Sequence, residues 1–191
     1  MNILLLGDVV GPSGRKAIND KLTELIEKKK IDFVIANGEN AGDMGVGITK
    51  KIFNEFIEAG ADVVTTGNHV WDEKEAMEFI ISESSLLRPE NLNKGSPGNG
   101  YGIFISKNKK KVAVINLMGN IFMKKCDDVF DEAKKFIQIV QLKKDADFII
   151  VDMHGEITSE KMAMGYLFDG KATMVVGTHT HIPTSDHMIL E

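Results

Sequence analysis

Hydrophobic residues in this chain alternate between short unbroken runs and longer stretches in which they recur every three or four positions. An unbroken apolar run between turn formers is typical of a buried strand, and a spacing of three or four is typical of an amphipathic helix. The alternation of the two patterns predicts an α/β domain. The predicted strands are residues 2–7, 33–36, 62–66, 102–106, 111–117, 148–153 and 173–176.

Helical spacing fills most of the intervals between these strands. Asp72 and Glu75 resemble the N-cap and the third residue of one helix, and Gly60 is a natural stop for the helix before it. Residues 102–106 and 111–117 have no helix between them, so they predict an antiparallel hairpin and a mixed sheet architecture. The predicted helices are centred on residues 18–26, 48–57, 72–80, 130–140 and 159–168.

The composition argues against several classes of protein. The formal net charge of −5 over 191 residues argues against general binding to the phosphate backbone of nucleic acid. A phosphate ester remains a possible substrate, because bound cations would make the site locally positive. No segment approaches the roughly 20 apolar residues that cross a bilayer, and no signal peptide pattern is present. Cys126 is the single cysteine, which suits a reducing compartment. We therefore expect a cytoplasmic protein without membrane contact.

Polar residues with metal-binding side chains follow five of the predicted strands. Parallel strands would bring these ends to one sheet edge, and carboxylate, amide and imidazole groups together form the ligand set of a two-metal hydrolase. Taken singly, each residue also fits an ordinary role as a turn acid, a loop acid or a core histidine. Five such strand ends in one alternating fold favour the metal site. The candidate ligands are Asp8, Glu39, Asn40, Asn68, His154, His179 and His181.

Two of these motifs are the most specific. In the first, Asn68 offers an amide oxygen that suits a hard cation, and the glycine before it allows a close backbone approach. His69 follows as a candidate acid outside the metal shell. In the second, His179 and His181 are separated by one residue. An extended chain would point both to the same face, where they could serve neighbouring metal ions.

The motifs resemble those of the calcineurin-like metallophosphoesterases, and closely those of the bacterial YmdB-type branch. The matching segments follow one another over nearly the whole chain. This resemblance implies a four-layer α/β/β/α sandwich with mixed sheets, and phosphodiesterase activity with cyclic nucleotides as the substrate class. The segments are residues 7–11, 37–41, 67–69 with 71–72, 88–89 with 91, 154–161 and 176–181.

The resemblance also implies how the ligands are divided between two ions. Glu39 would bridge both ions. The wider superfamily has Asp-x-His in its first motif, whereas this chain has Asp8-Val9-Val10, as is usual for the branch. One metal site therefore lacks the histidine of that motif. Asp8, Asn40 and His181 would complete one site, and Asn68, His154 and His179 the other.

Family members continue past residue 191 with strands that close the second sheet. We therefore expect a single metallophosphoesterase domain over residues 1–191 that lacks its C-terminal strands, with residues 188–190 as the start of one. An unpaired sheet edge invites pairing with another chain. A homo-oligomer is expected on that ground.

The motifs predict a dinuclear metal-dependent hydrolase, and the resemblance implies that it is a phosphodiesterase of small phosphate diesters, such as 2′,3′-cyclic or 3′,5′-cyclic nucleotides. A metal-bridging hydroxide would attack phosphorus in line, and His69 would protonate the leaving oxygen. The two divalent ions would be Fe, Mn or Zn. Mixed carboxylate, amide and imidazole ligands bind all three metals and do not distinguish among them. Arg88, with Asn91 in the same loop, is the candidate substrate contact, since a guanidinium donates two hydrogen bonds to phosphate. An ordinary surface loop is the alternative for these two residues.

Two other functions compete with this hypothesis. A regulatory protein could bind metal and nucleotide in the same pocket, and it would show negligible turnover with its metals intact. A dinucleotide-binding module would bind without metal. That module is disfavoured because Gly7, Gly11 and Gly14 do not match the G-x-G-x-x-G fingerprint.

Overall fold

The computed structural model describes residues 1–191 as two four-stranded sheets with five helices. The first half of the chain forms β1 (Ile3–Leu6), α1 (Gly11–Lys29), β2 (Phe33–Asn37), α2 (Lys50–Ala59), β3 (Val63–Thr65), α3 (Ala76–Phe79) and β4 (Leu86–Leu87). The second half forms β5 (Tyr101–Ile105), β6 (Lys111–Met118), α4 (Val129–Ile139), β7 (Phe148–His154), α5 (Thr158–Leu167) and β8 (Met174–Thr178). None of these helices is both long and apolar enough to cross a membrane.

Each half builds one sheet whose strands lie side by side in chain order. All four strands of the first sheet are parallel. Right-handed crossovers that always advance in one direction place their connecting helices on the same face of the sheet. In the second sheet, β5 is antiparallel to β6, while β6, β7 and β8 are parallel. Each sheet therefore keeps one face free of helices, and the two free faces pack together.

The alternation of side chains along β2 shows this layering. Val34 and Ala36 join the core beneath α1 and α2, whereas Phe33 and Ile35 join the core between the two sheets. All four are completely buried, which explains why the strand is an unbroken apolar run. A third core lies between the second sheet and the helices α4 and α5. The predicted α/β/β/α sandwich is confirmed.

The helix boundaries follow local capping signals. The Thr49 hydroxyl accepts the N–H of Ile52 at 3.2 Å at the start of α2. Gly60 ends that helix with a φ of 113°, a conformation that only glycine adopts easily. The predicted stop at Gly60 is confirmed. The helix α1 begins earlier than the apolar spacing indicated, with Pro12 in its first turn, where a missing N–H costs nothing.

Several details differ from the sequence-based expectations. The hairpin of β5 and β6 is confirmed, but only the second sheet is mixed, because the first is wholly parallel. The strand β4 has two residues, too few to leave a pattern. The predicted third helix is present as α3, but it has four residues and no side-chain cap, so its predicted start at Asp72 is wrong. Residues 188–191 form no strand.

Candidate metal centre

The carboxyl ends of strands from both sheets meet at one edge of the molecule. The first sheet contributes side chains with oxygen donors there, and the second contributes histidines; all of them are candidate ligands. The side chain of Asn37 in β2 donates to Asp152 in β7 at 3.1 Å, which ties the two sheets together next to the centre. The structure brings together Asp8 after β1, Glu39 and Asn40 after β2, Asn68 after β3, His154 at the end of β7, and His179 and His181 after β8.

Four of these side chains converge on one point. The Nε2 atom of His154 lies 3.0 Å from Oε1 of Glu39, 3.1 Å from Oδ1 of Asn68 and 3.2 Å from Nδ1 of His179. Glu39, His154 and His179 each offer a ligand atom within 4.8 Å of the others. The side chains of Glu39 and His154 are almost completely buried. This cluster has the ligand types and spacing to hold a metal ion.

A second group lies beside the first. The Nε2 atom of His181 lies 3.1 Å from Oδ2 of Asp8 and 3.3 Å from Oδ1 of Asn40. The Asp8 side chain is buried, and its Oδ1 atom is 3.9 Å from Nδ1 of His154, which connects the two groups. These contacts sort the side chains into the same two sets that the family resemblance implies.

Hydrogen bonds behind the histidines turn ring lone pairs toward the centre. Nδ1 of His154 lies 3.0 Å from the hydroxyl of Thr178, which donates its own proton to Asp152 at 2.6 Å. The His154 proton therefore belongs on Nδ1, and Nε2 is left with a lone pair. Nε2 of His179 faces the carboxylate of Glu156 at 3.1 Å, so its Nδ1 is free in the same way. Acceptor atoms that face one another at this range need a proton or a cation between them.

The charges of the site favour a cation. Burial lowers the pKa of His154, but the neighbouring carboxylate groups of Glu39, Asp8 and Asp152 outweigh burial and raise that pKa. Oδ1 of Asp8 and Oε1 of Glu39 are buried without a hydrogen-bond partner of acceptable geometry. A buried acceptor without a partner is destabilising, and a divalent cation would satisfy both atoms. Mixed oxygen and imidazole donors suit a first-row transition metal.

Close packing and an unusual backbone build the site. A Cβ atom on Gly67 would collide with Nε2 of His154 and with Oε2 of Glu39, which confirms the predicted close approach. His179 and His181 have φ angles of 92° and 59°, in the left-handed region that residues other than glycine rarely adopt. The extended chain predicted for these two residues is therefore wrong. A tight turn, rather than strand alternation, directs both rings into the site.

His69 follows Asn68 directly, and its ring contacts none of the candidate ligand side chains. Its backbone N–H donates to Oε2 of Glu39 at 3.0 Å, and its ring Nδ1 lies 2.6 Å from Oδ2 of Asp72. Lys124 donates to the other oxygen of Asp72 at 3.1 Å. Asp72 is thus a partner of the His69 ring instead of the predicted helix cap. This contact leaves Nε2 of His69 free to face a ligand.

The buried polar residues that hold His154 in place were not predicted from the sequence. Asp152 is completely buried and accepts hydrogen bonds from Thr178, Thr65 and Asn37 at 2.6, 2.5 and 3.1 Å. Burial raises the pKa of Asp152 against the opposing effect of these donors. A signal was present, because Asn37 and Asp152 interrupt otherwise apolar strands. Buried polar groups of this kind are almost always hydrogen-bonded.

Thr178→Val should weaken metal binding by about 10–100-fold, the usual effect of losing a partner of a ligand histidine. Valine has the shape of threonine but offers His154 no acceptor, so Nε2 would lose its orientation. Thr178→Ser keeps the hydroxyl and should bind metal as the wild type does. Calorimetric titration of chelator-treated protein with Mn²⁺ measures the affinity. Equal affinities in all three proteins would show that the hydroxyl has no such role.

The two predicted substrate contacts support the loop after β4 instead. The Arg88 guanidinium donates to backbone carbonyl groups within residues 89–98, and its side chain is only 11% exposed. Asn91 is completely buried. Its amide donates to the carbonyls of Met118 and Asp127 and accepts the N–H of Met118. Because these bonds occupy both side chains, we replace the expected substrate contact with a structural role.

Known proteins match this chain over nearly its whole length. The family described as YmdB-like protein matches residues 4–191. A protein of Bacillus subtilis (strain 168) named 2′,3′-cyclic-nucleotide 2′-phosphodiesterase is 45% identical over 190 residues, which cover 100% of this chain and 70% of the relative.

Two crystal structures share the fold. A hypothetical protein from Thermus thermophilus aligns with a TM-score of 0.89 and 37% identity, over 100% of this chain and 72% of that one. A novel phosphatase from Mycoplasma pneumoniae aligns with a TM-score of 0.84 and 38% identity, over 95% of this chain and 65% of the other. The chain thus spans about two thirds of the length of these relatives.

Proposed function

This chain belongs to the YmdB-like protein family, and from that premise we propose that it is a dinuclear metal-dependent phosphodiesterase acting on cyclic nucleotides. The observation that carries the proposal is the convergence of two groups of ligand side chains around Glu39. We propose 2′,3′-cyclic nucleotides as substrates, since a relative with 45% identity carries that name. The 3′,5′-cyclic nucleotides are the second class to test.

The metal ions would be held by the two groups of side chains already described. Glu39 would contact both ions, because its carboxylate lies beside members of both groups. It is 3.0 Å from His154, and its negative charge adds to burial in raising the pKa of Asp8. When bound, two divalent cations supply positive charge that stabilises the phosphoryl oxygens and lowers the pKa of water. One ion would be bound by Asp8, Asn40 and His181, and the other by Asn68, His154 and His179.

His69 would donate the proton that the leaving ribose oxygen requires. With Nδ1–H directed at Asp72, the second proton of the imidazolium lies on Nε2 and is available to the substrate. The contact with Asp72 fixes the ring plane. Lys124 in turn holds the carboxylate of Asp72. A general acid that is oriented in this way typically contributes 10²–10⁴-fold to the rate.

Turnover of 2′,3′-cyclic AMP before and after chelation tests the proposed function. We expect hydrolysis to one nucleoside monophosphate, loss of activity after chelation, and recovery when Mn²⁺ is added. Nucleotide binding with intact metals and no turnover would contradict the proposal and support the regulatory alternative. A panel of 2′,3′-cyclic and 3′,5′-cyclic nucleotides would then identify the preferred class.

We also propose that the chain forms a single cytoplasmic domain that self-associates. Ile103 and Ile105 are 45% and 62% exposed on β5, which pairs with β6 alone. An apolar edge strand of this kind favours pairing with a second copy. Light scattering should show a mass above that of one chain. A monomer over a wide concentration range would contradict this expectation.

A further inference from the structure

The segment between β6 and α4, residues 119–128, carries an unusual phenylalanine. Phe122 is 83% exposed, while the other nine phenylalanines are buried or partly buried. Its φ angle is 61°, in the left-handed region that bulky residues rarely adopt. Neither feature stabilises the folded chain. A strained backbone that exposes an aromatic ring is a reason to look for a function.

This segment is fixed to the candidate metal centre on two sides. The N–H of Gly119 donates to the carbonyl of His154 at 2.9 Å, and Lys124 donates to Asp72, the partner of His69. Phe122 is three residues from the first contact and two from the second. Its Cα atom therefore lies within about 11 Å of that of Gly119 and about 7 Å of that of Lys124. Phe122 therefore lies on a short segment between two anchors, each of which contacts a residue of the candidate centre.

The base of the segment is held rigidly. The backbone N–H of Asn120 donates to the buried carboxylate of Glu160 at 2.8 Å. The side chain of Asn120 donates to the carbonyl of Asp127 at 2.9 Å and accepts the N–H of Val129 at 2.9 Å. These bonds close the segment on itself. Phe122 is thus presented on a fixed support, and little conformational freedom would be lost on binding a flat partner.

We propose that Phe122 is the stacking platform for the base of the nucleotide substrate, an inference that rests on the proposed function. Every nucleobase has a π face, and stacking on an aromatic side chain is tolerant of base identity. With the phosphate at the metal centre, the base would extend outward by the width of one ribose ring, and we place Phe122 within its reach. The contact would contribute to substrate binding and leave the reacting atoms untouched.

The test compares two substrates that differ only in the base: 2′,3′-cyclic AMP and the 2′,3′-cyclic phosphate of methyl riboside. Phe122→Ala should lose about tenfold or more of kcat/KM on the first substrate, mainly through KM, because a stacked base typically contributes that much affinity. Activity on the second substrate should not change. Phe122→Trp should restore the preference for the base.

Two further variants control for general effects. Ile139→Ala removes another exposed apolar side chain (60% exposed), at the end of α4 opposite the metal centre, and should leave both activities unchanged. Phe122→Gly accepts a φ of 61° without strain, so it should fold and melt no lower than the wild type while losing the base preference. If Phe122→Ala lowers activity on both substrates equally, or on neither, the stacking role is overturned.

A wild-type protein that hydrolyses neither substrate would refute the proposed function separately. Calorimetric binding of adenosine 3′-monophosphate then tests Phe122 by itself. Weaker binding by Phe122→Ala, by about tenfold or more, would support the stacking platform. Equal binding by the variant and the wild type would overturn it.

Discussion

Glu39→Ala is expected to remove bound metal from both sites and to lower kcat/KM on 2′,3′-cyclic AMP by at least about 100-fold. Losing an indirect partner of a metal ligand already costs 10–100-fold, and Glu39 is a direct candidate ligand. Its Oε1 atom lies 3.0 Å from Nε2 of His154, and the side chain is 1% exposed. Elemental analysis of the purified variant gives the metal content per chain.

Two control variants separate charge from shape. Glu39→Gln keeps the volume of the side chain and an acceptor for the N–H of His69, but it removes the charge, so it should also lose metal. Asp43→Ala removes an exposed acid of the same loop, which pairs only with Arg15, and should keep its metal and activity. Full occupancy of both sites in Glu39→Ala would exclude a shared ligand at this position.

His69→Ala is expected to retain its metals and to lose about 10²–10⁴-fold of activity on cyclic nucleotides. The loss should be much smaller on bis(p-nitrophenyl) phosphate. A ribose alkoxide is a poor leaving group and needs a proton, whereas a nitrophenolate leaves largely unaided. Because the ring of His69 contacts Asp72 and no ligand side chain, its removal should not disturb the metal groups. Metal analysis and kcat/KM on both substrates measure the effect.

The matched control for this experiment is His187→Ala. His187 is exposed and lies outside both ligand groups, so its replacement should leave metal content and activity unchanged. Asp72→Asn should lose part of the activity of the wild type, because a neutral amide forms a weaker hydrogen bond to the His69 ring than a carboxylate does and orients the ring less firmly. Equal losses on the two substrates in His69→Ala would exclude the role of general acid, and loss of metal would identify His69 as a ligand.

Most of the fold could be predicted because each buried strand leaves an unbroken apolar run and each covering helix a regular spacing. β2, with every side chain buried, is the clearest case. β4 could not be found, since two residues carry no period. The single parallel direction of the first sheet also leaves no local trace. It depends on how α1 and α2 cross over, which is decided by packing across the whole layer.

The ligand residues could be predicted because they interrupt the chain where strands end, at the edge where α/β sheets place their ligands. The direction of the side chains could not. His179 and His181 reach the site through positive φ angles that no alternation rule anticipates. Arg88 has the chemistry of a phosphate contact, but the carbonyl groups of its own loop occupy it. Such competition between neighbours is visible only in three dimensions.

The dinuclear centre is tested most directly by adding Mn²⁺ in equivalents to chelator-treated protein while turnover of 2′,3′-cyclic AMP is followed. The seven convergent side chains predict that the protein binds two ions per chain and becomes fully active only when the second equivalent is bound. Full activity in the chelated protein, or full activity after a single equivalent with no further binding, would contradict a two-metal phosphodiesterase.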